Sequence, residues 1–198
     1  MRTRAILLVG GIASAVAALA AAPVVSQSLA DACAKKVVIV QQQAGKPSKT
    51  PRTTPFAEGE LNSYLRFKAT DQLPTGLTEP VLTLHGAGRV TGTAVVDLDV
   101  VRQKQSSGSW FDPTTYLTGR LPVTATGIVR AADGIGKFEL ESAEVSGVPI
   151  PKSFLAQMVN FFTRTADNPR GSSIDDSFEL PADIRRIDVE PGRALVIQ

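Results

Sequence analysis

The chain has 198 residues, a formal net charge of +2 and a single cysteine, so no disulfide can close within it. Residues 1–30 hold Arg2 and Arg4 and no acid, residues 31–55 hold five Lys or Arg against Asp31 alone, and residues 56–198 hold 14 basic against 18 acidic side chains. The part expected to fold is therefore mildly acidic, which excludes the basic surface of a nucleic-acid binder.

Arg2 and Arg4 precede a run from Ala5 to Val25 dominated by Ala, Leu, Ile, Val and Gly and closed by Ser26, Gln27 and Ser28. A charged start, an apolar middle and small residues at a cleavage site make a signal peptide over residues 1–30. Ala18-Leu19-Ala20 and Ser28-Leu29-Ala30 both offer the small side chains that signal peptidase requires. An uncleaved anchor is the alternative, because twenty-one residues at about 1.5 Å each reach across a hydrocarbon core. Either reading places the chain outside the cytoplasm, in the periplasm or associated with the cell envelope. Cys33 follows Ala30-Asp31-Ala32, and Asp31 does not suit the small uncharged position that precedes a lipidated cysteine.

Residues 31–55 read as a basic, Pro- and Gln-containing tether. Its second half, 41–55, has three prolines and no apolar side chain larger than Ala that could offset chain entropy. Val37-Val38-Ile39-Val40, just before, fits either a first strand or an apolar remnant lying on the membrane. At Thr54-Pro55 the sequence predicts a helix start, with Thr as N-cap and Pro at the first helical position. Leu61, Tyr64 and Leu65 then follow helical spacing to about Phe67.

After Phe67 the period changes to two. Val81–His85 is a predicted strand, and Arg89–Arg102 a longer one. On the longer strand Ala94, Val96, Leu98 and Val100 share one face, against Thr93, Asp97 and Asp99 on the other. Leu121–Ala131 and Lys137–Val145 form two more strands joined at Asp133-Gly134, a strong hairpin dipeptide. Gly147-Val148-Pro149-Ile150-Pro151 breaks the sheet before a second helix that carries Phe154, Leu155, Met158, Phe161 and Phe162 as a stripe. A polar loop over 163–177 leads to a terminal hairpin around Glu190-Pro191-Gly192-Arg193. The sum is one α+β domain over residues 56–198, with helices on one side of a twisted antiparallel sheet.

Catalytic patterns are absent from the sequence. His85 is the lone histidine, at a strand end, and Gly86-Ala87-Gly88 leads into a strand and lacks the Lys and Ser or Thr of a phosphate loop. Asp97 and Asp99 lie about 7 Å apart on one strand face, as do Glu139 and Glu141, and solvation accounts for both pairs. Neither an enzyme nor a metal or cofactor site is expected.

The positive signal is apolar. Trp110, Phe111, Tyr116 and Leu117 lie in the long segment 103–120, and aromatics at a loop tip suit a membrane interface. Small residues at Ala94, Ala125 and Gly127 leave either room for helix side chains or room for an acyl chain.

Three stretches bear a resemblance. Glu60-Leu61-Asn62-Ser63-Tyr64-Leu65, Val145-Ser146-Gly147-Val148-Pro149-Ile150-Pro151 with Phe154-Leu155, and Leu180-Pro181-Ala182-Asp183-Ile184 with the closing hairpin occur in that order. They resemble the helix start, strand-to-helix junction and last hairpin of bacterial lipid-binding proteins with a TULIP-like half-barrel, the LmeA-like and YceB-like groups. The resemblance implies a curved antiparallel sheet packed on or wrapped around two helices, enclosing an apolar groove for a lipid tail, and no catalysis. The groove is then expected at Val96, Leu98, Val100, Val123, Phe138, Leu140, Phe154, Leu155, Met158 and Phe162. Expected partners are a lipid or acyl-chain ligand and a membrane surface. The alternative is an envelope module with a filled core that binds a protein through segment 103–120.

Overall fold

A computed structural model describes residues 24–46, 48–104, 119–162 and 169–198. The described residues form an α+β structure, with two antiparallel sheets and four α-helices among them. The signal-peptide run falls almost wholly outside the described residues, and no helix within them is long and apolar enough to cross a membrane.

Helix α1 (Gln27–Gln43) is the first correction, because it occupies most of the expected tether. Ser26 caps it, its side chain accepting from Leu29 N at 3.2 Å. Ala30, Cys33 and Val40 are buried and Val37 packs beside them, a stripe at helical spacing that settles the ambiguous Val37–Val40 run as helix. Only residues 44–52 remain as a connector. Ala30 is fully buried, so a cut after it would delete the cap and first turn of α1, whereas a cut after Ala20 would spare both.

The second correction is at Thr54-Pro55. Thr53–Ala57 is strand β1, and helix α2 (Glu58–Phe67) starts only after it. Proline has no N–H to donate, a property that serves the first turn of a helix and an edge strand equally. Here β1 is an edge strand of the three-stranded sheet, paired with β9 (Arg193–Ile197), which pairs in turn with β8 (Arg186–Glu190). Phe56 thereby enters the core beside Cys33 and Ile184. Glu60 holds the junction: its Oε2 accepts from Ala57 N at 2.9 Å and from Lys36 Nζ at 2.6 Å.

The larger sheet runs β2 (Leu77–Gly86), β3 (Arg89–Asp97), β4 (Arg120–Ala132), β5 (Ile135–Val145), β6 (Val148–Pro149), with β7 (Ser177–Glu179) also on β5. Ala87-Gly88, Asp133-Gly134 and Ser146-Gly147 each place both turn residues at positive φ, the mirror-image turn whose twist matches that of the flanking strands. Strand β3 stops short of its predicted end. Asp97 Oδ1 accepts from Asp99 N and Val100 N, both at 3.1 Å, and so caps helix α3 (Leu98–Lys104). Leu98 and Val100 are therefore helical, and Asp97 and Asp99 are not a strand-face pair.

Helix α4 (Lys152–Phe162) lies where the second helix was expected, but it is not the main cover of the sheet. It meets the sheet at β5, and Phe154 is 41% exposed. The covering is done by α2 and β8, which bury Leu84, Val90, Val189 and Ala194 with Leu61, Val129 and Phe138 around them. The terminal hairpin itself forms as the sequence predicts.

Candidate functional site

Residues directly paired across strands share a face, and side chains alternate along each strand. The register Leu82↔Gly92↔Ala125↔Ala143, with Ala94↔Val123↔Val145 and Val96↔Leu121 beyond it, assembles one apolar face across β2 to β5. A bulge between Thr126 and Gly127 shifts the register by one residue on β5, and so Leu140 and Phe138 join that face as partners of Gly127 and Val129. The opposite face carries Thr83, Thr91, Thr93, Thr124 and Thr126 and ion pairs such as Arg89–Glu141 and Arg130–Glu139, both at 2.8 Å. His85 belongs there, its Nε2 2.9 Å from Thr91 Oγ1.

Space along the apolar face is uneven. A side-chain carbon at Gly127 would lie 2.5 Å from the Phe138 ring and 2.5 Å from Glu139 O, so this small residue is filled by a neighbouring strand's aromatic ring. A carbon at Gly92 would meet nothing within 4 Å. Gly92, Ala94 and Ala125 are small positions on this face, and the half-buried Leu82, Val96, Leu121 and Val123 are their neighbours. This part of the face is half-exposed to solvent. The covered end, at Leu84, Val90 and Phe138, is closed by α2 and β8.

Of the expected groove residues, Val96, Val123, Leu140 and Phe138 lie on this face, with Phe138 at its covered end. Leu98 is buried on α3, Val100 is 40% exposed there, and neither belongs to the sheet. Phe154 and Leu155 sit on α4, whose contact with the sheet is at β5. The side chains of Met158 and Phe162, and the residues Trp110, Phe111, Tyr116 and Leu117, lie outside the described residues. Leu82, Gly92 and Leu121 were missed, although strict alternation from Leu82 to Val96 would have placed the first two.

The resemblance-bearing segment 60–65 turns out to be a clasp. Asn62, 1% exposed, donates from Nδ2 to Leu82 O at 2.8 Å and accepts from Leu82 N at 2.7 Å, acting as a mock strand on the edge of β2. Glu58 Oε2 accepts from Leu84 N, and Ser63 accepts from Ser26 N. These side chains fix α2 over one end of the apolar face. Nearby, burial pushes the Cys33 thiol up to about 11, and the Lys68 ammonium beside Asp31 holds that carboxyl below its ordinary value.

No family model, no curated protein and no solved structure matches the chain.

Proposed function

We propose that this is an exported, envelope-associated lipid-binding protein that seats an acyl chain in a groove on the apolar face of its larger sheet and catalyses no reaction. The observation that carries the reading is the open space beside Gly92, set in a sheet face that is apolar from Leu82 to Val145. From the Gly92 row to the Val96 row this stretch of the face runs about 13 Å at the rise of a strand. Each methylene that leaves water there stabilises the complex by about 0.8 kcal/mol. The N-terminal apolar run supports export, and the TULIP-like resemblance supports a half-barrel that wraps its helices. Native mass spectrometry of the purified chain tests the proposal: it expects co-purifying lipid that Gly92→Leu removes. Lipid-free protein from repeated preparations would count heavily against it.

One observation favours a second reading, an interaction module. Phe178 is 52% exposed beside exposed Ile135 where β7 pairs with β5, and Val148 is exposed at the other end of β5. Under that reading Phe178→Ser abolishes a protein contact and leaves lipid content unchanged.

A further inference from the structure

A concavity lies away from the apolar sheet face: a cleft of about 720 Å³ between the 44–52 connector and the segments around Asp133 and Leu180–Arg185. Its two walls carry opposite charge. The connector contributes Lys46, Lys49 and Arg52 and no acid, whereas the facing wall contributes Asp133, Glu179 and Asp183, with Arg185 as its one cation. Among the described residues none of these seven side chains forms an ion pair, although Arg89 with Glu141 and Lys152 with Asp175 show how readily others on this surface do.

The walls are held at this separation by the backbone. Arg52 and Gln198 exchange N–H···O bonds of 3.1 and 3.0 Å, and Gly45 N donates to Asp183 Oδ2, which ties that carboxylate to the connector. Gln43 Oε1 and Gln198 Oε1, on two residues of the cleft lining, are buried acceptors with no partner among the described residues. Opposed, unpaired charges on a fixed frame create a field across the gap, and a field of that kind orients a dipolar ligand. The volume lies within the range of small-molecule sites.

We propose that this cleft binds a zwitterionic phosphoamine, its phosphate against Lys46 and Lys49 of the connector and its ammonium against Asp133 and Glu179 of the facing wall. A simple anion satisfies only one wall and is repelled by the other, so both charges on one molecule are required. The chemistry is that of free phosphoethanolamine and of the same group at the head of a phospholipid. The cleft lies apart from the apolar face, and the inference does not rest on lipid-tail binding there.

The test is a titration of the purified chain with phosphoethanolamine, followed by amide NMR. Saturable shifts are expected at Gly45 and Gly134, with inorganic phosphate and ethanolamine each binding roughly tenfold more weakly or worse. The double variant Lys46→Glu, Lys49→Glu is expected to lose at least about tenfold in affinity with an unchanged melting temperature, and Asp133→Lys to lose affinity for phosphoethanolamine while gaining it for phosphate. Absence of saturable shifts at millimolar ligand, equal binding of phosphate alone, or indifference to the double variant overturns the proposal. Competition by phosphatidylethanolamine vesicles identifies the lipid headgroup as the source. Binding that such vesicles leave unchanged identifies the free molecule, and the proposal stands in both cases.

Discussion

Replacing Asn62 by alanine tests the clasp that holds α2 over the sheet. The amide makes two hydrogen bonds to Leu82, at 2.8 and 2.7 Å, from a side chain that is 1% exposed. Alanine cannot replace either bond, and the Leu82 N–H and C=O lose their partners in a part-buried setting. Each buried backbone group left without a partner costs about 1–3 kcal/mol. Two of them give a loss of roughly 2–6 kcal/mol, a large share of the 5–15 kcal/mol typical of a domain. For a domain of this size the melting midpoint falls by roughly 4–24 °C. Urea unfolding by circular dichroism gives the same quantity as a change in midpoint. Asn62→Asp keeps the acceptor for Leu82 N, loses the donor to Leu82 O and brings a buried charge, so it should be no better than alanine. A loss below about 1 kcal/mol for Asn62→Ala, the net value of one ordinary hydrogen bond, would refute the clasp.

Four further outcomes follow from the same geometry. Gly92→Ala should stabilise the fold by about 0.5–1 kcal/mol, since alanine restricts the unfolded chain and meets no atom within 4 Å. Gly127→Ala should instead cost about 1–3 kcal/mol, because the added methyl collides with the Phe138 ring and Glu139 O; equal effects of the two would contradict the account of space on this face. Cys33 predicts an alkaline dependence. Its folded pKa of about 11 lies above the ordinary 9.0, so the unfolded state releases the proton first and stability falls as pH rises from about 9 to 11. Below that window both states hold the proton and the residue is neutral to folding. In Cys33→Ala this part of the pH profile should flatten. Asp31 acts at the acid end. Its carboxyl is held down by Lys68 at 2.8 Å, so its contribution is present above the unfolded carboxylate pKa and is lost as pH falls through the lower folded value. Lys68→Met should remove that part of the acid dependence.

Much of the fold was legible where a single local rule acts alone. Asp133-Gly134 announces a hairpin because both residues tolerate positive φ, and Pro191-Gly192 marks the last turn for related reasons. The errors fall where two rules share one pattern. Thr54-Pro55 satisfies a helix start and an edge strand alike, and only pairing with Ala194–Ile197, remote in sequence, decides between them. Asp97-Leu98-Asp99-Val100 alternates like a strand, yet the Asp97 carboxylate accepts from the Asp99 and Val100 N–H groups and turns the chain into a helix. The stripe Ala30, Cys33, Val37, Val40 was hidden because it begins where an export segment was expected to end. On the apolar sheet face, Val96, Val123 and Leu140 were readable from alternation, whereas the open space at Gly92 and the filled space at Gly127 depend on what the adjacent strands bring beside them.

The central claim is that the open space beside Gly92 accepts a hydrocarbon tail. Methyl NMR of the purified chain during titration with a medium-chain fatty acid measures this directly. Saturable shifts should appear at Leu82, Val96, Leu121 and Val123 and vanish in Gly92→Leu. Unmoved methyl signals at those four residues, in protein shown to be lipid-free beforehand, would contradict it.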